Sequence, residues 1–328
     1  MGLDIDLGGG SDDDDTDEGF DELLEFVESS LSFATSSYNR SYLDRRISAR
    51  MRRQRVDDYA DYQELLREDE DEREELLNAL SVNVTSFFRN PEVWESLREI
   101  LADLSQSGRT NVWSAACSDG REAYSVAMLA LDDDRIDAGR LDILGTDIKP
   151  EILRAARRGE YHASETNDLE EQLEPLARND RYVARDGDTY RVADEVKELV
   201  SFRKHDLVQE SPPQTFNLVI CRNLFIYINK RAKQAMFETL SSAVEPGGYL
   251  TIGMTETVPA SCRERFDPVE KRLRIYRDST DGDGGDNGGG SGSRSRSRSR
   301  SSTSRSNSRS RSGSQSRSGS TSRSTTRR

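Results

Sequence analysis

The chain has 328 residues, 33% of them apolar and 33% charged, with a formal net charge of −14. Residues 291–328 hold eleven Arg and no acid, so the first 290 residues carry −25 by difference. That disfavours a body built to grip nucleic acid, because phosphates call for a basic groove. No apolar run reaches the roughly eighteen residues of a membrane-spanning helix, and two His with three scattered Cys make a zinc site an unsuitable reading.

Residues 1–18, Gly-rich and then DDDDTDE, have no periodicity and read as a disordered acidic start. Phe20, Leu23, Leu24 and Val27 recur at spacings of three and four, the mark of an amphipathic helix. A second helix is expected over 41–54, with Leu43, Ile47 and Met51 on one face and Arg45, Arg46, Arg50, Arg52 and Arg53 on the others, followed by Arg55. Almost no acid interrupts this basic stretch, so its charges are not paired locally, and it reads as a docking face for an acidic partner. Two more short helices over 59–68 and 72–80 complete a helical domain at 19–80. The segment 81–89 is a connector carrying Asn83, Thr85 and Arg89. Asn90 as N-cap and Pro91 at the first position then open a helix with a buried stripe from Val93 to Leu104.

From residue 110 strand and helix alternate, the pattern of a parallel sheet covered by helices. Val112–Ala116 reads as a buried strand, Cys117-Ser-Asp-Gly120 as a turn without bulk, and 121–131 as a helix. Such a turn lets backbone approach a ligand closely, with a helix N-terminus beside it. The second strand, 141–146, is closed by Asp147, an acid placed to hold two ribose hydroxyls. These features point to a nucleoside-containing cofactor, while the absence of GxGxxG disfavours a nicotinamide dinucleotide. The alternation breaks near Tyr161. There 181–192 reads as a hairpin turning at Asp186-Gly187, part of a small β insertion at about 162–200. Strands are expected at 200–202, 216–220, 249–252 and 272–276, with a helix over 230–244 ended by Pro246-Gly247-Gly248. After residue 278 the composition collapses into Gly and then Ser-Arg repeats, a solvated basic brush that could be met by an acidic partner.

Only six of the 47 basic residues are Lys, a Lys-poor, acid-rich balance that resembles proteins adapted to high intracellular salt. The odd, sparse Cys count suits a reducing cytoplasm, and the acidic start is unlike a signal peptide.

Five stretches in order resemble the CheR-type chemotaxis protein-glutamate methyltransferases: 83–89 (NVTSFFR), 112–125 (VWSAACSDGREAYS), 146–148 (TDI), 221–227 (CRNLFIY) and 253–256 (GMTE). The resemblance implies an α/β protein in which an all-helical N-terminal domain precedes a Rossmann-like S-adenosylmethionine-dependent methyltransferase domain, 81–278, with a small β-subdomain. It implies methyl transfer to Glu side chains on the cytoplasmic helical domains of chemoreceptors, by a cytoplasmic enzyme recruited to receptor arrays. On this resemblance Asn83, Thr85, Arg89, Glu122, Asp147, Asp206, Leu207, Asn223 and Leu224 contact the cofactor. Arg89 and Tyr227 lie nearest the transferred methyl, and Arg45–Arg55 meets the receptor. Three positions depart from the pattern: Arg121 and Ala123, because Arg121-Glu-Ala-Tyr-Ser125 replaces Glu-Glu-Pro-Tyr-Ser, and Asp206, which replaces Asn. A receptor- or cofactor-binding protein without turnover, on the same fold, is the alternative.

Overall fold

The computed structural model describes residues 12–80, 85–164 and 167–280. The expectations for residues 1–11, for Asn83 and for the Ser-Arg tail lie outside the described residues.

Four helices come first: α1 (Asp12–Leu31), α2 (Arg40–Gln54), α3 (Tyr59–Glu68) and α4 (Glu70–Leu80). Their apolar stripes meet in one cluster built on Phe20, Leu23, Val27, Leu43, Ile47, Tyr62, Leu66 and Leu76. The first helix starts at Asp12, eight residues before apolar spacing announces it at Phe20. Periodicity is blind to an acidic run, yet the positive end of a helix dipole accepts one. Residues 12–18 are thus helical where disorder was expected.

A helix α5 (Pro91–Ser107) leads into the α/β part. Its elements are β1 (Thr110–Ala115), α6 (Arg121–Asp132), β2 (Leu141–Asp147), α7 (Pro150–Arg158), β3 (Glu160–His162), α8 (Leu169–Gln172), α9 (Asn179–Tyr182), β4 (Val183–Asp186), β5 (Thr189–Val192), α10 (Asp194–Lys197), β6 (Val200–Lys204), β7 (Phe216–Cys221), α11 (Lys230–Ala243), β8 (Val244–Ile252), α12 (Ala260–Arg263), β9 (Phe266–Glu270) and β10 (Ile275–Asp278).

Seven strands form one sheet in the order β6-β2-β1-β7-β8-β10-β9. The pairs β6–β2, β2–β1, β1–β7 and β7–β8 are parallel, and β8–β10 and β10–β9 are antiparallel. Strand order reverses at β1, so the crevice beyond the carboxyl ends of β1, β2 and β7 is where this topology receives a ligand. Two apolar clusters cover the sheet: one takes Trp94, Leu97, Val112, Val126 and Ile143, the other Trp113, Phe216, Val219, Phe237 and Leu240. β4 and β5 form the expected hairpin, and β3 joins it in a separate three-stranded sheet.

Three local readings are corrected. Pro246-Gly247-Gly248 ends no helix but lies inside β8, where the register against β7 shifts and Gly247 has φ 75°. A bulge is where a strand tolerates Pro and Gly. The last strand runs from Ile275 rather than Arg272, and its partner β9 went unread because most of it is exposed and it contains Pro268. Asn90 precedes α5 in a left-handed conformation, φ 58°, and does not cap it. Its Oδ1 instead accepts a hydrogen bond from Arg222 Nη2 at 2.8 Å.

Candidate functional site

Thr85, Arg89, Glu122, Asp147, Asp206, Leu207, Asn223, Leu224 and Tyr227 all line one cavity of about 590 Å³ at the carboxyl ends of β1, β2 and β7. The sheet brings them together: Glu122 opens α6 after β1, Asp147 ends β2, Asp206 follows β6, and Asn223 to Tyr227 follow β7.

The loop after β1 is strained. Ala116 and Ser118 hold φ 56° and 53°, left-handed values that non-Gly residues seldom adopt and that gather at ligand sites. Gly120, at φ 89°, has no room for a side chain, since a Cβ would sit 2.8 Å from the Phe202 ring and 2.9 Å from Ala156. The turn without bulk is therefore demanded by packing as well as by ligand approach.

Asp147 is held by its own neighbourhood: Oδ2 accepts from Ser118 N at 3.0 Å and Oδ1 from Lys149 N at 3.2 Å. Burial pushes its carboxyl above the usual range, with these backbone donors opposing. Each oxygen keeps lone-pair capacity for a further donor. Glu122 is likewise pushed up by burial, opposed by Arg222 and by Ser114, whose Oγ donates to Oε1 at 2.8 Å. Arg222 Nη1 stands 4.0 Å from Glu122 Oε2, while Nη2 donates to the Arg89 carbonyl at 2.9 Å. Asp206 Oδ1 accepts from Val208 N and Gln209 N at 2.8 and 3.2 Å, so that oxygen also serves its own loop.

Sequence reasoning missed the group that shapes the β7 loop. Glu256 is buried, and its carboxylate accepts from Gly253 N at 2.6 Å, Phe225 N at 2.7 Å and Asn223 N at 3.2 Å. It fastens the backbone between Asn223 and Tyr227, with Asn223 itself at φ 62°. The 253–256 stretch marks its place in the sequence, but only the folded contacts reveal what it holds. Arg222 was missed for the same reason.

Arg121, where the resembled pattern has an acid, ties the connector to the β insertion. Its Nη1 donates to the Thr85 carbonyl at 3.0 Å and Asn167 Oδ1 at 3.3 Å, and its guanidinium lies 4.9 Å from the centre of the Tyr161 ring.

The arginines of α2 divide. Arg45, Arg52, Arg53 and Arg55 are exposed, and Arg46 is half-buried. Arg50 is buried and leaves the proposed docking face. It pairs with Glu72 of α4, Nε to Oε1 at 3.0 Å and Nη2 to Oε2, and reaches Glu75 at 3.0 Å. The local lack of acids misled here, because α4 supplies the counter-charge across the helical core.

The residues present fit a nucleoside cofactor bearing a positive charge. Two acids with spare acceptor capacity stand at the cavity wall, and Ser118 Oγ and Asn223 Oδ1 are buried there without a hydrogen-bond partner among the described residues. Buried polar atoms of this kind call for a partner.

Comparison with known proteins agrees with this geometry. Residues 83–275 match the profile described as CheR methyltransferase, SAM binding domain, and residues 18–81 match CheR methyltransferase, all-alpha domain. The chain is 32% identical over 235 residues to a chemotaxis protein methyltransferase of Listeria monocytogenes, covering 71% of this chain and 87% of that one. It is 32% identical over 222 residues to a probable chemotaxis protein methyltransferase of Rhizobium etli, covering 65% and 81%. Against the chemotaxis protein methyltransferase of Escherichia coli it is 29% identical over 271 residues, covering 79% and 88%.

Proposed function

The chain belongs to the CheR methyltransferase family, with S-adenosylmethionine as its cofactor, and we propose that it esterifies glutamate side chains of chemoreceptor cytoplasmic helices. The observation that carries this reading is the company Arg89 keeps: it lines the same cavity wall as Glu122, Asp147 and Tyr227, a cation beside the groups suited to the cofactor.

The cofactor supplies a methyl group on a sulfonium, and the acceptor must bring an electron pair. A glutamate, with a reference pKa of about 4.3, is already ionised at neutral pH and needs no general base. His205 also lines the cavity, its ring buried and its Nε2 against the Ser211 carbonyl at 2.9 Å. Asp147 takes the ribose hydroxyls and Glu122 the cationic end of the cofactor. Thr85, Asp206, Leu207, Asn223 and Leu224 line its remaining length, with Asn83 assigned alongside them by resemblance. Arg89 orients a carboxylate, and Tyr227 presents its hydroxyl beside the methyl path. Because opposite charges vanish as the ester forms, a site drier than water favours the reaction. What the protein adds is alignment, the kind of positioning worth up to several kcal/mol.

The exposed arginines Arg45, Arg52, Arg53 and Arg55, with Arg46, form the face on which an acidic receptor bundle docks. The test is transfer of radiolabelled methyl from S-adenosylmethionine to a receptor cytoplasmic fragment. Alkali-labile label on the fragment, lost when its acceptor Glu residues are changed to Ala, supports the reading. Tight cofactor binding with no label on any receptor fragment overturns it.

A further inference from the structure

A strap joins α1 to α2, and it forms part of the cavity wall: Phe33, Ala34, Ser37 and Tyr38 line the cavity although they belong to the helical layer. The strap is fastened on both sides. Toward α1, Glu28 accepts from Thr35 Oγ1 at 2.6 Å, Ser36 N at 2.8 Å and Ser36 Oγ at 2.7 Å. Toward the β7 loop, Asn39 N donates to the Tyr227 carbonyl at 2.9 Å, Asn229 N donates to the Ser37 carbonyl at 3.0 Å, and Tyr38 makes an antiparallel bridge to Ile228. Tyr38 therefore has a fixed backbone register against the loop that carries Asn223, Leu224 and Tyr227.

Its ring is fixed as well, stacked on Phe33 with centroids 4.9 Å apart at 27°. Its hydroxyl makes no hydrogen bond among the described residues, although Tyr38 lines the cavity. Burial, followed by the charges of Tyr42, Asp147 and Asp206, raises the pKa of this phenol and keeps it a donor. Asp147 is the acid at the tip of β2, which in this topology marks the ribose end of a bound nucleoside. A fixed phenol with an unused donor, lining the same cavity as that acid, is placed to meet the nucleoside.

We propose that Tyr38 is a cofactor-binding residue contributed by the helical layer, its hydroxyl donating a hydrogen bond to the adenosine half of S-adenosylmethionine. The helical layer then helps to build the cofactor site as well as meeting a partner. The proposal rests on the cofactor alone and not on the identity of the methyl acceptor.

The test is calorimetric binding of S-adenosylhomocysteine and of 5′-methylthioadenosine to the full chain and to Tyr38→Phe, which keeps the Phe33 stack and removes only the hydroxyl. Loss of one hydrogen bond should weaken both ligands alike, by about three- to tenfold. Tyr59→Phe is the control: its hydroxyl bonds Asp44 at 3.1 Å, and Tyr59 does not line the cavity. Unchanged affinity in Tyr38→Phe overturns the proposal, as does an equal loss in Tyr59→Phe. A loss seen with S-adenosylhomocysteine but not with methylthioadenosine overturns the adenosine placement. No receptor is present, so failure here is separable from failure to methylate one.

Discussion

The ring of Tyr42, on α2, packs against the ring of Tyr227 beyond β7, centroids 5.0 Å apart at 54°. Tyr42 is anchored from behind by its hydroxyl, which donates to the Leu80 carbonyl at 2.9 Å. Its ring also carries the guanidinium groups of Arg45 and Arg46, 5.8 and 5.4 Å from the centroid. One aromatic side chain thus touches both the face assigned to docking and the tyrosine assigned to the methyl path.

Tyr42→Ala should therefore lower kcat more than it raises the KM for S-adenosylmethionine, because it unseats Tyr227 and leaves Asp147 and Glu122 in place. Tyr42→Phe, retaining the ring contact, should recover most of the loss. Steady-state kinetics on the three proteins check this, and an equal effect of both variants would assign the role to the Leu80 hydrogen bond instead.

Asp147→Ala removes the acceptor assigned to the ribose hydroxyls and also frees Ser118 N and Lys149 N, which it now holds. Cofactor affinity should fall by one to two orders of magnitude, on the scale of about 1.5–3 kcal/mol for a hydrogen bond to a charged group. Calorimetry reads this directly, and parent-like binding would remove Asp147 from the site.

Glu256→Gln replaces an oxygen that accepts backbone N–H groups with an amide that donates. At least one of the Gly253, Asn223 and Phe225 donors then loses its partner inside the protein, at a cost of about 1–3 kcal/mol. The loop from Asn223 to Tyr227 should loosen, with weaker cofactor binding and lower turnover together. Thermal melting and binding measured on the same variant test the two consequences.

Arg50→Ala leaves Glu72 buried without its counter-ion, and breaking a buried pair in this way costs about 3–5 kcal/mol. The helical layer should melt earlier. Burial pushes the Glu72 carboxyl up, but hydrogen bonds from Arg50, Tyr62 and Gln54 outweigh it and hold the pKa below the ordinary value. A depressed folded-state pKa contributes stability above the unfolded value, and that contribution is lost as pH falls through the folded one. Denaturant midpoints measured downward from pH 6 should therefore drop in the parent through the acid range. Glu72→Gln, with no carboxyl to titrate, should show a shallower drop from a lower start.

Periodicity and residue type determined much of this protein unaided. Leu43, Ile47 and Met51 announced α2, the small residues from Ala115 to Gly120 announced the ligand turn, and Asp147 was legible as the acid closing β2. These signals are local: helix, strand and turn preferences act over a few neighbouring residues, and the alternation of strand and helix constrains the parallel sheet. Tertiary structure alone decided who partners whom. Arg50 went to Glu72 rather than to a docking face, Asn90 went to Arg222 rather than to its helix, and Glu256 gathered three backbone donors from two loops. Tyr38 and Tyr42 crossed from the helical layer to the site. Each of these contacts joins a polar or aromatic group to a partner brought near only by packing, and the cost of burying such a group unpaired selects the partner wherever the fold happens to place it.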